Sequence, residues 1–301
     1  MKNKALEALD SLIGRVPTSP QAQLTSIVEI ITPELAKKYL ETNLENQRNI
    51  SHGYLSTLRR QVKLEQWQLT GQPIIFDSNG KLIDGQHRLM ALIYENKTVP
   101  FLVVRGAPPR SFMVIDTGKS RTKGNILAIK KVPNYNAVAA SVLGVLNYRR
   151  ALTIVSKHGE NNEKTRHGSF AQLTMTSTEI VNEYEAHSSA YDEVAHIAIK
   201  MRKTIQPSVV GTVIALSAID AGHDFNVISS FWNNYYKGVG LTETNPALLL
   251  RNKINTNDKS KAKLRQPNLI LLCVKAWNLY ITGKSSKILK IADGEGVVPV
   301  L

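Results

Sequence analysis

The segment LIDGQHRLMAL, residues 82–92, places an acid, a glycine, an amide, an imidazole and a guanidinium next to one another. These residues stand where a strand-like run becomes a helix-like one, and a glycine at such a junction lets the backbone turn sharply and approach a ligand. The first N–H groups of the following helix have no partner within that helix, so they attract negative charge. The segment therefore predicts an anion-binding corner.

The side chains of this corner suit a phosphate. Arg88 offers a planar two-pronged donor, and His87 can donate a hydrogen bond or exchange a proton near neutral pH. Gly85 and Gln86 complete the predicted phosphate-binding set. Asp84 could bind a metal ion that accompanies a polyphosphate or, as we favour, cap the helix, and Asp84 and His87 are candidate catalytic residues. The alternative is a capped helix whose His87 and Arg88 face solvent.

A second block, FMVIDTGKSRTKGN at 112–125, gathers hydroxyls, a glycine and two cations in a predicted strand-end loop. Asp116 could bind a metal ion or act as a base. The block is not a Walker A loop, because a second glycine at the required spacing is absent. A basic turn before a helix capped by Thr122 is the alternative. The candidate phosphate-binding residues of the block are Thr117, Gly118, Lys119, Arg121 and Thr122.

Short strand-like and helix-like runs alternate around both blocks up to about residue 130, which is typical of a compact mixed α/β domain. Thr32 followed by Pro33 predicts the start of a helix, and Asn79-Gly80 predicts the turn of a hairpin. These local patterns indicate that strands and helices of one domain position the corner.

From residue 133 onward the pattern is helical, and Thr176 with Glu179 forms a predicted capping box. The fold class is therefore α+β, with an N-terminal mixed α/β domain followed by an α-helical C-terminal domain. The predicted parts are a helical extension at 1–24, the α/β domain at 25–132 and the helical domain at 133–301.

The formal net charge of +14 is concentrated in residues 1–130 and 251–290. The second region contains ten lysines and arginines against one acid, Asp258, which suits a polyanion such as DNA. A solvated loop whose charge serves solubility is the alternative. The candidate nucleic-acid contacts are Lys259, Lys261, Lys263 and Arg265.

The chain has 301 residues, of which 43% are hydrophobic, and this is enough for a substantial core. We find no uncharged apolar run of the roughly 18 to 20 residues that span a membrane, and no pattern of a secretion signal at the start. We therefore expect no membrane partner and a cytoplasmic location. The single cysteine, Cys273, excludes an intrachain disulfide.

The segment 67–106, with its DGQHRL motif, and the IDTGKSRT block resemble the ParB/sulfiredoxin superfamily. The resemblance is to the branch with a DGQHR motif, which includes many bacteriophage and mobile-element proteins, and it covers about residues 25–130. It implies a small α/β nucleotide-binding fold in which Gly85, His87 and Arg88 hold the phosphates of a nucleotide. The implied cofactors are ATP or CTP, with Mg²⁺.

This sequence differs from members of the superfamily in two features, and each difference excludes or disfavours one of the functions that the resemblance implies. Gln86 stands where sulfiredoxins have a reactive cysteine, so sulfinic-acid reduction is excluded, because an amide cannot replace the thiolate. We also find no convincing helix-turn-helix after the corner, which argues against a chromosome-partitioning clamp. The superfamily supports several reactions, so the fold does not decide the chemistry.

Three functions fit these patterns. The first is a nucleoside-triphosphate hydrolase that acts on or with DNA, with phosphotransfer or nuclease activity as coupled possibilities. The second is a non-enzymatic DNA-binding or regulatory protein that uses the corner to hold phosphate. The third is a phage accessory protein that inhibits a host protein, and a homo-oligomer is compatible with each.

Overall fold

The computed structural model describes residues 24–43, 49–113, 115, 123–158, 175–259, 264–292 and 295–301. The chain divides into two compact units, residues 1–119 and residues 120–301, hereafter unit 1 and unit 2. This division falls before the predicted boundary at residue 132, because a helix at Lys123–Ile129 packs on helices of unit 2. The predicted helical extension at 1–24 lies outside the described residues except for Leu24.

Unit 1 contains a mixed four-stranded sheet. Its strands are β1 (Thr25–Ile31), β2 (Ile74–Asp77), β3 (Leu82–Asp84) and β4 (Val99–Ala107), in the order β1-β4-β2-β3. The central pair, β2 and β4, is parallel, whereas β1 with β4 and β2 with β3 are antiparallel. The prediction of an α/β arrangement in this part of the chain is confirmed at this level.

The described part of unit 1 has three α-helices, α1 (Pro33–Glu41), α2 (His52–Lys63) and α3 (Gln86–Glu95). Thr32 caps α1, with its hydroxyl accepting a hydrogen bond from Leu35 N, so the predicted start is confirmed. Ser51 caps α2 in the same way by accepting from Tyr54 N. The predicted hairpin turn is also confirmed, since Gly80 has φ +76° between β2 and β3.

One face of the sheet and the three helices share the core of unit 1. Its fully buried members include Ile31, Ile74, Leu89 and Val103. The opposite face is open at the edge strand, where Ile30 remains 62% exposed. The helices therefore lie against one side of the sheet, and Gly85 joins β3 directly to α3.

The predicted strand-end loop of the second block is corrected in part. Residues Pro109–Met113 form a short 3-10 helix, not a strand, directly after β4. Pro108 and Pro109 lack the N–H groups that a strand ladder needs, so the sheet ends at Ala107.

The regular elements among the described residues of unit 2 are all helices. Thr176 and Glu179 form the predicted capping box, which is confirmed by both hydrogen bonds. The helices are α4 (Lys123–Ile129), α5 (Tyr135–His158), α6 (Ser177–Ala186), α7 (Ser188–Lys200), α8 (Pro207–Ala215), α9 (Phe225–Lys237), α10 (Pro246–Lys259) and α11 (Gln266–Ile281).

Helix α5 is long and apolar enough over residues 135–156 to cross a membrane by length and composition. In unit 2 it packs against α4, α6, α7 and α8, as a core helix does. Its Arg149 binds Glu183 at 2.7 Å and Asp220 at 2.6 Å. Burial opposes the charge of Arg149, but these two carboxylates outweigh that cost and raise the pKa of the guanidinium.

The single cysteine lies in this helical core. Cys273 on α11 is fully buried, and burial raises the pKa of its thiol well above the ordinary value. Phe231, Trp232 and Tyr235 of the aromatic run on α9 are also fully buried, whereas Tyr236 is 46% exposed. The buried members of this set pack the core of unit 2.

Candidate functional site

The corner predicted from the sequence begins at Gly85, between β3 and α3. Its φ of +111° is a conformation that L side chains rarely adopt. A Cβ built on Gly85 would lie 2.4 Å from Ile74 Cδ1 and 3.4 Å from Ile74 Cα. The corner therefore requires glycine both for its backbone conformation and for its close approach to β2.

Replacing Gly85 with alanine is expected to destabilise unit 1 by about 2 kcal/mol, because the strained φ and the contact with Ile74 add. Gly53 is the matched control, since it lies inside α2 with open space around its Cα. Gly53→Ala should leave unit 1 slightly more stable. Denaturation followed by circular dichroism checks both, and equal effects of the two substitutions would contradict the assigned role.

Arg88 on α3 is 8% exposed and holds the chain that enters β2. Its Nη1 donates to Gln72 O at 2.7 Å, and its Nη2 donates to Pro73 O at 2.8 Å. Nη2 also binds Asp84 Oδ2 at 2.9 Å. The guanidinium predicted to grip a phosphate therefore makes three internal contacts, and the alternative in which it faces solvent is wrong.

The favoured role of Asp84 as a helix cap is also wrong. The N-cap position of α3 is Gly85, and no side chain caps it. The Asp84 carboxylate instead binds Arg88 four residues later, because that spacing brings the two side chains to one side of the helix start. The positive end of α3 is thus left without an acidic cap.

His87 is 4% exposed and connects α3 to the start of α2. Its Nε2 accepts a hydrogen bond from Ser51 N at 2.9 Å, so Nε2 carries no proton in this arrangement. The Tyr54 ring lies 5.3 Å from the imidazole, centroid to centroid, and is 46% exposed at the surface. Sequence reasoning missed Ser51 and Tyr54 as neighbours of the corner, because they lie more than 30 residues away in the chain.

Gln86 is 5% exposed and contacts the end of the α1 segment. Its Oε1 accepts from Asn43 Nδ2 at 3.3 Å. Asn43 Oδ1 is buried and has no hydrogen-bond partner among the residues that the structure describes. An unpaired buried acceptor of this kind is costly, and a donor group of a ligand or a water molecule would satisfy it.

The starts of two helices meet at this corner. The Ser51 cap of α2 and the second residue of α3, His87, are joined directly by the hydrogen bond from Ser51 N to the imidazole. Neither helix has an acidic residue in its first turn. Each helix start carries about half a positive charge, so the pair favours an anion.

A cavity of about 410 Å³ lies at the other end of β2, where the parallel strands β2 and β4 finish. Arg105 lines it and contacts the Tyr39 and Phe76 rings, with its charge paired to Glu29. Burial opposes ionisation of Glu29, but hydrogen bonds from Arg105 and Tyr39 outweigh it, so the pKa of Glu29 is lowered.

Sequence reasoning missed this Glu29, Tyr39 and Arg105 group. The sequence contains one indication of this group, namely a single charged residue inside each of two apolar strands, SIVEII and FLVVRG. Such isolated charges in neighbouring strands are paired far more often than left alone. The cavity and the predicted corner lie at opposite ends of β2, so the structure does not bring these two groups of residues together.

Several predicted site residues lie outside the described residues. They are Asp116, Thr117, Gly118, Lys119, Arg121, Thr122, Lys261 and Lys263. Lys259 ends α10, but its side chain is also outside the description, whereas Arg265 is exposed at the start of α11.

The predicted magnesium ion finds no ligand set in the residues that the structure describes. These residues contain no group of three or more His, Cys, Asp or Glu side chains that could hold a metal. Asp84, the described member of the predicted pair, is already bound to Arg88. The described part of the corner therefore does not fit a metal ion.

Comparison with known proteins yields little further. The chain matches no family model and no curated protein. It is similar to a solved Pnob8-like ParB-N domain at 15% identity, over 76% of this chain and 89% of that one, with a TM-score of 0.19. That domain bears the name of the superfamily that the DGQHR segment resembles, but a TM-score of 0.19 does not show a common fold. Membership of the DGQHR branch stays a prediction from the sequence.

Proposed function

We propose that unit 1 binds a nucleotide through its phosphates at the paired helix starts, defined as Ser51–Tyr54 of α2 and Gly85–Arg88 of α3. The observation that supports this most is the direct contact of the two starts, neither of which has an acid in its first turn. Two helix starts that lie next to each other can form an anion site without needing free cationic side chains.

The corner residues divide their roles in this proposal. Gly85 lets the backbone approach the ligand, and His87 holds the two helix starts together. Arg88 keeps α3 in place against β2, and its role is thus positioning. The exposed ring of Tyr54 beside His87 offers a face on which a nucleotide base could stack.

Hydrolysis of the bound nucleotide is the second step of the proposal. The candidate catalytic groups Asp84 and His87 both have internal partners, so binding is the property that the geometry supports best. Release of phosphate from ATP or CTP, measured beside binding, distinguishes a hydrolase from a protein that senses a nucleotide without turnover.

Placing a negative charge at the start of α2 tests the site without disturbing its buried contacts. His52 is exposed at the first position of α2, where glutamate is favourable for the helix itself. His52→Glu should weaken ATP or CTP binding about tenfold, because the new charge repels the phosphates. Isothermal titration with each nucleotide gives the affinity.

The control for this experiment is Gln68→Glu, which adds the same charge at an exposed position after α2. It should leave the affinity close to that of the unchanged protein. If His52→Glu binds nucleotide as tightly as Gln68→Glu does, the paired helix starts are not the phosphate site.

A second candidate is that the protein holds DNA, which the basic balance of residues 251–290 favours. Replacing Lys259, Lys261, Lys263 and Arg265 with glutamine should then weaken DNA binding and reduce its salt dependence. The slope of log affinity against log salt should become shallower by about 0.9 for each DNA phosphate that the protein no longer neutralises.

Fluorescence anisotropy with labelled duplex DNA at several salt concentrations measures this slope. The control replaces four exposed lysines of unit 1 with glutamine, namely Lys37, Lys38, Lys63 and Lys81. A similar loss in both variants would mean that net charge alone, and not the 251–290 region, attracts the DNA.

A further inference from the structure

Unit 2 contains a cavity of about 440 Å³ that none of the predicted functions uses. It lies between the last turns of α11 and the segments 284–292 and 295–301, which contribute the opposite wall. Its volume is within the range of pockets that bind small organic molecules. All the residues that line the cavity belong to unit 2, so an inference about it goes beyond the function proposed for unit 1.

Hydrogen bonds from α11 hold the far wall of this cavity. The Asn278 side chain donates to Pro299 O at 2.8 Å and accepts from Leu301 N at 3.0 Å. Trp277 Nε1 donates to Leu301 O at 3.0 Å, and Tyr148 on α5 donates to Val298 O at 2.7 Å. The wall is therefore built before any ligand arrives, which lowers the entropic cost of binding.

The charged side chains that line the cavity are all lysines, namely Lys275, Lys284 and Lys290. Lys275 is neutralised by Glu295, with both carboxylate oxygens within 2.8 Å of its Nζ. The ammonium groups of Lys284 and Lys290 have no hydrogen-bond or ion-pair partner among the described residues. No aspartate or glutamate is among the described residues that line the cavity.

The rest of the lining is largely apolar. Leu279 on α11 and Leu289 and Val298 on the opposite wall face the space, and Ile288 adds a side chain that is 68% exposed. An apolar side chain left this exposed beside a cavity gains by covering it with an apolar ligand. Two unpaired cations next to apolar walls select for a molecule with an anionic head and an apolar body.

We propose that this cavity binds an amphiphilic organic anion, with a single negative head group between Lys284 and Lys290 and an apolar chain against Leu279 and Leu289. The head group is held by the two ammonium ions, and the chain displaces water from the apolar walls. An aliphatic carboxylate of medium length has this chemistry.

Titration of the full chain with sodium decanoate, below its micelle concentration, tests the proposal. One saturable site per chain is expected, and the double variant Lys284→Gln with Lys290→Gln should bind about tenfold more weakly because two attractive charges are lost. Lys287→Gln is the matched control, since Lys287 lies in the same exposed segment but does not line the cavity. It should keep the affinity of the unchanged protein.

Two further ligands test separately what the anionic head group and the apolar chain contribute to binding. Decyltrimethylammonium has the same chain with a positive head and should not bind, whereas acetate has the head without the chain and should bind far more weakly than decanoate. Absence of a saturable decanoate site, equal affinity in the double variant, or equal binding of decyltrimethylammonium or acetate would each overturn the proposal.

Discussion

Replacing Arg88 with alanine is expected to lower the stability of unit 1 by about 3 kcal/mol. The guanidinium donates to two backbone carbonyls, Gln72 O and Pro73 O, and binds Asp84, at a position that is 8% exposed. Alanine would leave all three acceptors without this donor, and it would leave a void where the nearly buried Arg88 side chain lies. The chain that enters β2 would then lose its connection to α3.

Hydrogen exchange of peptides from β2 and α3, measured by mass spectrometry, reports the loss of stability where it occurs. Arg59→Ala is the matched control, because Arg59 also pairs with an acid, Glu95, but its side chain is 44% exposed. An exposed pair contributes at most about 1 kcal/mol. Protection in Arg88→Ala equal to that in Arg59→Ala would show that the buried contacts do not hold this part of unit 1.

This prediction decides how nucleotide-binding experiments on the corner are interpreted. A loss of nucleotide binding in Arg88→Ala would have two explanations, namely the removal of a phosphate ligand and a loosened connection between β2 and α3. The measured affinity alone does not separate these two explanations. His52→Glu avoids this ambiguity, because residue 52 is exposed and glutamate favours the helix there. The corner is therefore better probed by charge at its rim than by truncation of its buried side chains.

The elements of unit 1 could be predicted from the sequence where the signal is local. Thr32 with Pro33 marks the start of α1, and Asn79-Gly80 marks the turn of the hairpin, because each pattern satisfies its own backbone within four residues. The same holds for the Thr176 capping box in unit 2. The glycine at position 85 is likewise predictable as a turning point from its place between a strand and a helix.

The partners of the corner could not be predicted, because they depend on which distant segments the fold brings together. The Ser51 backbone is 36 residues from His87, and the Gln72 carbonyl that Arg88 binds is 16 residues away. A sequence pattern shows that an arginine can bind phosphate but not that two carbonyls already occupy it. Glu29 and Arg105 are a similar case, being 76 residues apart in the chain and paired across neighbouring strands.

The crossing of α5 and α8 in unit 2 is another feature that depends on distant partners. Gly144 on α5 lies against Thr212 on α8, and Gly211 on α8 lies against Ser141 on α5. Each glycine thus accepts a hydroxyl-bearing side chain of the other helix, so the two backbones approach closely. This reciprocal contact explains why α5 and α8, which are rich in β-branched and small residues, pack with no large side chain between them.

Replacing Gly144 with alanine is expected to destabilise unit 2 by about 3 kcal/mol, since overpacking of a dense core is costly. The added Cβ would lie 1.9 Å from Thr212 Oγ1 and 3.0 Å from Thr212 Cβ and Cγ2. Thr212 is fully buried, and its hydroxyl donates to Ser208 O at 2.7 Å, so it cannot rotate away without losing that bond. The helices must therefore move apart.

A double-mutant cycle with Thr212→Ala isolates this contact. Thr212→Ala alone loses one hydroxyl bond and should cost about 1 kcal/mol. The double variant should recover most of the stability lost in Gly144→Ala, because Oγ1 and Cγ2 of residue 212 are gone and only its Cβ remains, at 3.0 Å. Thermal or urea unfolding of the three variants gives the coupling energy. If the effects of Gly144→Ala and Thr212→Ala simply add, then the loss in Gly144→Ala does not come from the approach of α5 to α8.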